Sequence, residues 1–422
     1  MVLLFLYCMV SLAISRYAYI KAVTEFYLID QNLSDNNVPT QRLVRVLNFL
    51  PLKIIPYLGD IDRQKIHLAI GKVFLTQAET IQETDPVEYI KLLENAERHY
   101  RISVGFDPKN IEPIGELAKT VFTLEKTVGN SFNALPYFEN LNKLGPNIIE
   151  YQYEIARYYY FKGMEDHLSQ KVAHIVAIQP SAYGKIKKED FYSPRLNPFI
   201  QIGLEKASQE IGMVQKQAYL SLGRFFRDKK NITEAIKYYN KGMSIRPYEN
   251  NENNYLFTGQ LFLENKEFDK ASDEFISGVV KSKKAEDFIK RIYYSFKKEQ
   301  LFEEFMAFSR KVEEKVGNIR ESGIFVARAR IELGLYELAR ARLIQMNSEK
   351  QSSEAFFLLG VIAEKEKDWD GMELNSQRAT VLDPDNCHYY QFFAKSLKLQ
   401  KKYAQATLTQ NKAKKCFESK KN

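Results

Sequence analysis

The chain of 422 residues is poor in the residue types on which most metal, redox and phosphate sites depend. Its three cysteines, Cys8, Cys387 and Cys416, include no Cys-x-x-Cys pair and predict no disulfide framework. Its five histidines are scattered without the spacing of metal ligands, and no Gly-rich phosphate loop, nucleophile elbow or His-Glu-x-x-His pair occurs. We therefore expect no catalytic residue, no metal and no cofactor, and a protein that is not an enzyme.

Proline and glycine are also sparse, with 13 and 19 copies that fall mostly at expected turns. Tryptophan occurs once, whereas Phe and Tyr occur 28 and 26 times. Rings in such numbers are typical of core packing between stacked helices. Because no segment shows the alternation typical of a strand, the composition predicts an all-α protein.

The strongest pattern is a spacing that recurs between Tyr219 and Phe275. An aromatic, a leucine and a small residue at i, i+3 and i+4 form one stripe of a helix, and the small residue lets a second helix approach. The first copy of the whole pattern consists of Tyr219, Leu222, Gly223, Phe226, Ala235, Tyr239, Gly242 and Pro247. In the second copy Gly259 and Ala271 stand 36 positions after Gly223 and Ala235. Each copy predicts a helix hairpin that must stack on neighbours to bury its apolar stripe.

These residues resemble the signature of the tetratricopeptide repeat family, whose period is about 34 residues. A further strong match, with Gly360 and Pro384, covers Ser353–Asn386, and looser copies bring the expected number of repeats to about eight. The resemblance implies an α-solenoid of antiparallel helix hairpins, a tetratricopeptide superhelix. It also implies a protein or an extended peptide as the partner, held on the concave face that the first helices line.

The resemblance places nine candidate partner-binding residues on that face. They are Tyr153, Arg157, Tyr160, Leu220, Arg224, Arg227, Leu256, Gln260 and Leu263. The family's chaperone-tail clamp is not predicted, because Leu220 and Arg224 stand where that clamp needs Lys and Asn. The mixture of aromatic rings and arginines favours an extended peptide or a partner helix.

The pattern divides the chain into eight segments. We expect an anchor or signal segment in 1–20, a linker with cap helices in 21–63, degenerate repeats in 64–180, an interruption with a bridging helix in 181–215, two strong repeats in 216–284, a degenerate helical repeat in 285–319, three repeats in 320–413, and a basic tail in 414–422. The interruption is interpreted either as a longer loop between repeats or as a hinge between two subdomains.

The amino terminus is apolar, and from Val2 to Ile20 only Arg16 interrupts the run. A helix of this length spans roughly 28 Å, enough to cross the core of a bilayer. We therefore predict a single-pass membrane protein, with the repeats on the cytoplasmic side because the basic residues follow the run. A cleaved signal peptide, a buried capping helix and the remnant of a longer membrane protein are the alternatives.

The formal net charge of +8 comes almost entirely from residues 398–422, which hold eight lysines and one glutamate. A nucleic-acid groove needs basic residues over several repeats, so no nucleic acid is expected. The sequence predicts a non-catalytic, membrane-tethered scaffold and sets no oligomeric state. The alternative is an accessory or tail domain of an envelope polysaccharide or glycosyl-transfer enzyme, since the layout resembles the repeat-bearing tails of O-antigen polymerases and ligases.

Overall fold

The computed structural model describes residues 60–129, 131–317 and 319–420. All regular structure in these ranges is helical, which confirms the predicted all-α class there. The chain divides into two compact units, Met1–Ala207 and Ser208–Asn422. The predicted N-terminal hydrophobic helix and most of the predicted linker lie outside the described residues.

Three helix hairpins and a short extension make up the described part of the first unit. Its α-helices are α1 (Asp60–Ile81), α2 (Pro86–Phe106), α3 (Ile111–Val128), α4 (Leu135–Leu144), α5 (Ile149–Phe161), α6 (Glu165–Ile178), α7 (Tyr183–Ile186) and α8 (Asn197–Ala207). Within each hairpin α1 packs on α2, α3 on α4 and α5 on α6, while α8 packs on α6. The segment that the sequence marks as an interruption therefore contributes two more helices to this unit.

One buried carboxylate holds the middle hairpin of the first unit together. Glu125 is 4 % exposed; it accepts a hydrogen bond from the backbone N–H of Ala134 at 2.9 Å and pairs with Lys162 Nζ at 2.9 Å. The first contact fixes the turn before α4, and the second ties α3 to the end of α5. A charge buried this deeply is tolerated because both contacts compensate its lost hydration.

Six hairpins make up the described part of the second unit. Its α-helices are α9 (Met213–Asp228), α10 (Ile232–Ser244), α11 (Glu252–Glu264), α12 (Phe268–Lys281), α13 (Ala285–Lys298), α14 (Phe302–Lys315), α15 (Arg320–Glu332), α16 (Tyr336–Glu349), α17 (Ser353–Glu366), α18 (Trp369–Leu382), α19 (Cys387–Leu399) and α20 (Tyr403–Ser419). Each odd-numbered helix packs on the even-numbered helix that follows it.

The turn inside each of these six hairpins has the same geometry. One residue with positive φ follows the first helix, and the next N–H donates to the carbonyl five positions back, the pattern of a Schellman cap. The positive-φ residues are Lys230, Lys266, Gln300, Gly334, Lys367 and Lys401. The six hydrogen bonds measure 2.8–3.0 Å, for example from Asn231 N to Phe226 O and from Leu301 N to Phe296 O. The turn at Gln300 shows that the degenerate pair α13–α14 is also a hairpin of this kind.

The small residues of the predicted pattern lie where paired helices touch. A Cβ at Gly223 would lie 2.8 Å from Tyr239 Cβ, and a Cβ at Gly259 would lie 2.3 Å from Phe275 Cε1. Leu222, Ala235, Ala271, Tyr239, Gly242 and Gly360 are buried, Tyr219 and Phe226 are half-buried, and Pro247 and Pro384 are exposed in the turns that end their hairpins. Buried rings fill the pair α13–α14, which lacks a small residue at the contact: Phe288, Phe296, Phe305 and Phe308.

The described helices correct the predicted localisation. A bilayer core of about 30 Å needs roughly 20 mostly apolar residues in one helix. Within residues 60–420, apart from the two undescribed positions, no helix is both long and apolar enough for this. This finding contradicts the prediction of a single-pass membrane protein; the apolar run 2–20 lies outside the described residues.

The structure also corrects the interpretation of the cysteines. Cys387 and Cys416 form a disulfide; their Cα atoms are 5.5 Å apart and the two residues are separated by 29 positions in sequence. Cys387 opens α19 and Cys416 lies near the end of α20. Antiparallel pairing of α19 and α20 brings these two ends together. Two cysteines separated by about one hairpin length can therefore form a disulfide in a helix-hairpin repeat, although they match no spacing motif such as Cys-x-x-Cys.

Candidate functional site

The first helices of the three hairpins in the first unit, α1, α3 and α5, line a groove of about 520 Å³. The loop that follows α7 closes one wall with Glu189, Asp190 and Phe191. We call this the first-helix groove. Two of the predicted partner-binding residues, Arg157 and Tyr160, belong to its lining.

Aromatic side chains form the open part of the first-helix groove. Tyr160 is 51 % exposed and Phe161 is 43 % exposed. The Phe161 ring packs edge-on against Phe122, with centroids 5.4 Å apart, and Phe122 packs in turn against the buried ring of Tyr158 at 5.3 Å. The floor is therefore held in place by the core, while Tyr160 and Phe161 offer apolar surface to a ligand.

Charged side chains of both signs stand around these rings. Arg157 donates to Glu154 Oε1 at 2.7 Å and to both carboxylate oxygens of Glu189 at 2.9–3.1 Å. These contacts tie α5 to the loop after α7 and fix the guanidinium at the groove wall. Lys126 Nζ lies 5.4 Å from the centre of the Phe122 ring, on the face of α3 that points into the groove. The groove therefore presents an aromatic patch flanked by charged side chains, of which Arg157 is held by ion pairs.

Tyr153 contributes to packing rather than to the open groove. It is 3 % exposed, its hydroxyl donates to Ala182 O at 3.3 Å, and Lys185 Nζ lies 4.1 Å from the centre of its ring. Burial raises the pKa of Tyr153 to about 12, with the Glu189 carboxylate adding to the effect. A partner cannot reach this ring unless α7, which carries Lys185, moves.

In the second unit the three predicted leucines are buried. Leu220 packs with Tyr239 in the core between α9 and α10, and Leu256 and Leu263 belong to the core around Phe275. Because these side chains fill space between hairpins, they are unavailable to a ligand. This removes Leu220, Leu256 and Leu263 from the set of accessible candidates.

The polar candidates of the second unit are engaged with one another. Arg227 Nη2 lies 2.6 Å from Glu264 Oε1, and its guanidinium stands over the Phe257 ring at 4.8 Å. Gln260 accepts from Arg227 at 3.4 Å and donates to Ser295 Oγ at 2.9 Å. The chain of contacts joins α9, α11 and α13. Arg224 is exposed beside it, with its guanidinium 5.8 Å from the centre of the Phe257 ring.

Sequence reasoning therefore found two residues of the first-helix groove and missed the rest of its lining. Phe161 follows the predicted Tyr160 directly, and Lys119 and Lys126 occupy the preceding first helix, so a comparison of successive first helices would have found them. Glu189 and Asp190 lie in the interruption, where the repeat carries no positional signal. In the described ranges no group of three or more His, Cys, Asp or Glu side chains is placed to hold a metal ion.

No protein-family model and no curated protein matches the chain. Solved structures do resemble it. The TPR domain of P58(IPK) is 13% identical, with 82% of this chain and 92% of that chain covered and a TM-score of 0.20. MamA from Desulfovibrio magneticus RS-1 is 14% identical; the match covers 49% of this chain and 98% of that chain, with a TM-score of 0.28. The APC/C hetero-tetramer of Cut9 and Hcn1 is 14% identical; the match covers 93% of this chain and 86% of that chain, with a TM-score of 0.30.

The helix hairpins described above form a helical repeat array. The described hairpins confirm the helical repeat fold that the resemblance inferred from Tyr219–Pro247 implies. The resemblance in layout to O-antigen polymerase and ligase tails is not shown by these matches.

Proposed function

We propose that this chain is a non-catalytic scaffold that holds an extended segment of a partner protein in the first-helix groove. The observation that carries the proposal is the pair of exposed rings, Tyr160 and Phe161, on a floor that the core holds rigid. Exposed aromatic rings on a rigid support are typical of residues that dominate binding energy at protein interfaces.

The backbone of the groove supports recognition by side chains. Helical N–H and C=O groups are hydrogen-bonded within α1, α3 and α5, so no sheet edge is offered to an added strand. A volume of about 520 Å³ lies in the range of specific ligand sites. A peptide chain laid across the three helices would place apolar side chains on Tyr160 and Phe161.

The charges beside the rings support an ordered orientation of the bound segment. Arg157 is fixed by Glu154 and Glu189, whereas Lys126 and Asp190 are not paired with an opposite charge among the described residues. Lys126 and Asp190 are therefore available for a carboxylate and a cation of the partner. Such rim charges set register and association rate more than affinity.

The test uses peptides selected from a randomised display library against the purified full chain. Their affinities are then measured for wild type, Tyr160→Ala and the matched control Tyr294→Ala. Both tyrosines are 51 % exposed and both lie on first helices, α5 and α13. We expect Tyr160→Ala to weaken binding by about 30-fold and Tyr294→Ala to leave it unchanged.

Two outcomes would contradict the proposal. Equal loss in both variants would mean that the peptides bind exposed rings without regard to the groove. Unchanged affinity in Tyr160→Ala, with a helical circular dichroism spectrum equal to wild type, would mean that the groove is not the binding site.

A further inference from the structure

A second groove lies in the second unit, between two second helices, α14 and α16, and the first helix α15. Its volume is about 580 Å³, and α14, α15 and α16 line it. Leu335 and Leu338, 41 % and 55 % exposed, form an apolar rim at the start of α16. We call it the second-helix groove.

Three arginines from three different helices converge on the second-helix groove. They are Arg310 of α14, Arg330 of α15 and Arg342 of α16. Glu313 is the one carboxylate among the lining residues that the structure describes. Its Oε1 lies 3.3 Å from Arg342 Nη2. The groove therefore carries an excess of positive charge.

Arg330 is half-buried in the second-helix groove. Its Nη1 donates to the backbone oxygen of Leu338 at 3.0 Å, and among the described residues it forms no ion pair with a carboxylate. Burial and the neighbouring Arg342 guanidinium lower the pKa of Arg330, and the Glu313 carboxylate offsets only part of this effect. A half-buried guanidinium next to a like charge is unfavourable unless an anion approaches it.

Several arginines elsewhere in the same unit are paired with carboxylates. Arg328 pairs with Glu354 at 2.6 Å, and Arg227 pairs with Glu264 at 2.6 Å. Arg340, which precedes Arg342 on α16, pairs with both Glu337 and Glu366. The second-helix groove, by contrast, brings together Arg310 and Arg330, which form no ion pair with a carboxylate among the described residues.

We propose that the second-helix groove binds an acidic, leucine-rich segment of a partner protein. Its carboxylates would lie on Arg310, Arg330 and Arg342, and its apolar side chains on Leu335 and Leu338. The guanidinium fork matches a carboxylate in a bidentate geometry, and a free small anion would leave the apolar rim uncovered. The second-helix groove and the first-helix groove lie on different helices and in different units. The proposal is therefore independent of the proposed function above.

The experiment measures binding of two fluorescein-labelled decapeptides to the full chain by fluorescence anisotropy. One peptide alternates leucine with glutamate and the other alternates leucine with glutamine. We expect the glutamate peptide to bind at least about tenfold more tightly, and the difference to shrink as salt is raised. Binding of the two peptides with equal affinity would overturn the proposal.

Arginine variants localise the site. Arg310→Gln and Arg330→Gln should each weaken binding of the glutamate peptide by about tenfold. Arg310 is exposed and unpaired in the described structure, so its replacement leaves the fold intact. The matched control is Arg246→Gln, which removes the same charge from a different hairpin of the unit, where Arg246 pairs with Glu249.

The outcomes separate the competing explanations. Equal weakening in Arg246→Gln would mean non-specific charge attraction and would refute the site. A peptide with phosphoserine in place of glutamate that binds more tightly and is displaced by inorganic phosphate would refute a carboxylate ligand in favour of a phosphorylated one. Tyr160→Ala should leave this binding unchanged, so failure of the first-helix groove and failure of the second-helix groove are distinguishable.

Discussion

The contact at Gly223 gives the sharpest test of how the repeats are built. A Cβ there would lie 2.8 Å from both Cβ and Cδ2 of Tyr239 and 3.1 Å from the backbone oxygen of Ala235. Tyr239 is fully buried, and its hydroxyl accepts a hydrogen bond from Asn254 Nδ2 at 3.1 Å. Neither neighbour can move alone, so a side chain at position 223 has to push α9 and α10 apart.

The magnitude follows from two opposing terms. Replacing a mid-helix glycine improves helix propensity by up to about 1 kcal/mol. Overpacking a well-packed contact costs about 1–3 kcal/mol, and the upper end applies here because leucine adds three further carbons beyond Cβ. We therefore expect Gly223→Leu to destabilise the α9–α10 hairpin by about 2 kcal/mol net, which raises its opening constant by about 30-fold.

Hydrogen exchange followed by mass spectrometry is the suitable assay, because neighbouring repeats open partly independently and a single melt averages over them. Peptides from α9 and α10 should exchange about 30-fold faster in Gly223→Leu, while peptides from α19 and α20 should not change. The control is Gly105→Ala in α2, where a Cβ meets nothing within 4 Å, so this variant should be neutral or slightly stabilising. Unchanged exchange of α9 and α10 in Gly223→Leu would refute the packing argument.

Two further predictions concern pH and redox state. His67 Nδ1 lies 2.9 Å from His99 Nδ1, and burial lowers the pKa of both, that of His99 from 6.5 to about 4. The unfolded chain therefore binds protons more readily than the folded chain, so the free energy of unfolding of α1–α2 should be highest above about pH 6.5 and should fall as the pH drops from about 6.5 to 4. Thermal melts of His99→Gln should depend less on pH than those of wild type. Identical pH profiles would contradict this prediction. The Cys387–Cys416 disulfide closes a loop of 29 positions, and its reduction should destabilise α19–α20 by about 3 kcal/mol. Hydrogen exchange in these two helices should become faster on reduction, and Cys416→Ser should reproduce this change. Hydrogen exchange that reductant does not affect would count against the prediction.

Local periodicity was enough to predict the hairpins. Two stripes, Tyr219 to Gly223 and Ala235 to Gly242, place apolar and small residues three to four positions apart on one face of each helix. Each stripe matches the other, so both helices and the contact between them follow from the sequence. The same reasoning predicted helices for α13–α14 but not how they touch. There the contact is made by Phe288, Phe296, Phe305 and Phe308, and ring packing has no fixed spacing.

Exposure on the first helices was decided only by tertiary structure. Arg157 and Tyr160 remain accessible, whereas Leu220, Leu256 and Leu263, which the same repeat positions suggest, are buried between hairpins. A repeat position fixes the direction of a side chain on its own helix. It does not fix how closely the next hairpin covers that side chain, which depends on the residues at the interface between them.

The sequence by itself determined the helical class, the hairpin repeat and the role of Gly223, because each rests on neighbours along one helix or one hairpin. Tertiary structure decided the disulfide between Cys387 and Cys416 and the convergence of Arg310, Arg330 and Arg342. It also decided the loop wall of the first-helix groove. These features join residues from separate helices or from a loop, and their distances depend on how helices cross and where a loop returns. The helical period carries no information about either quantity.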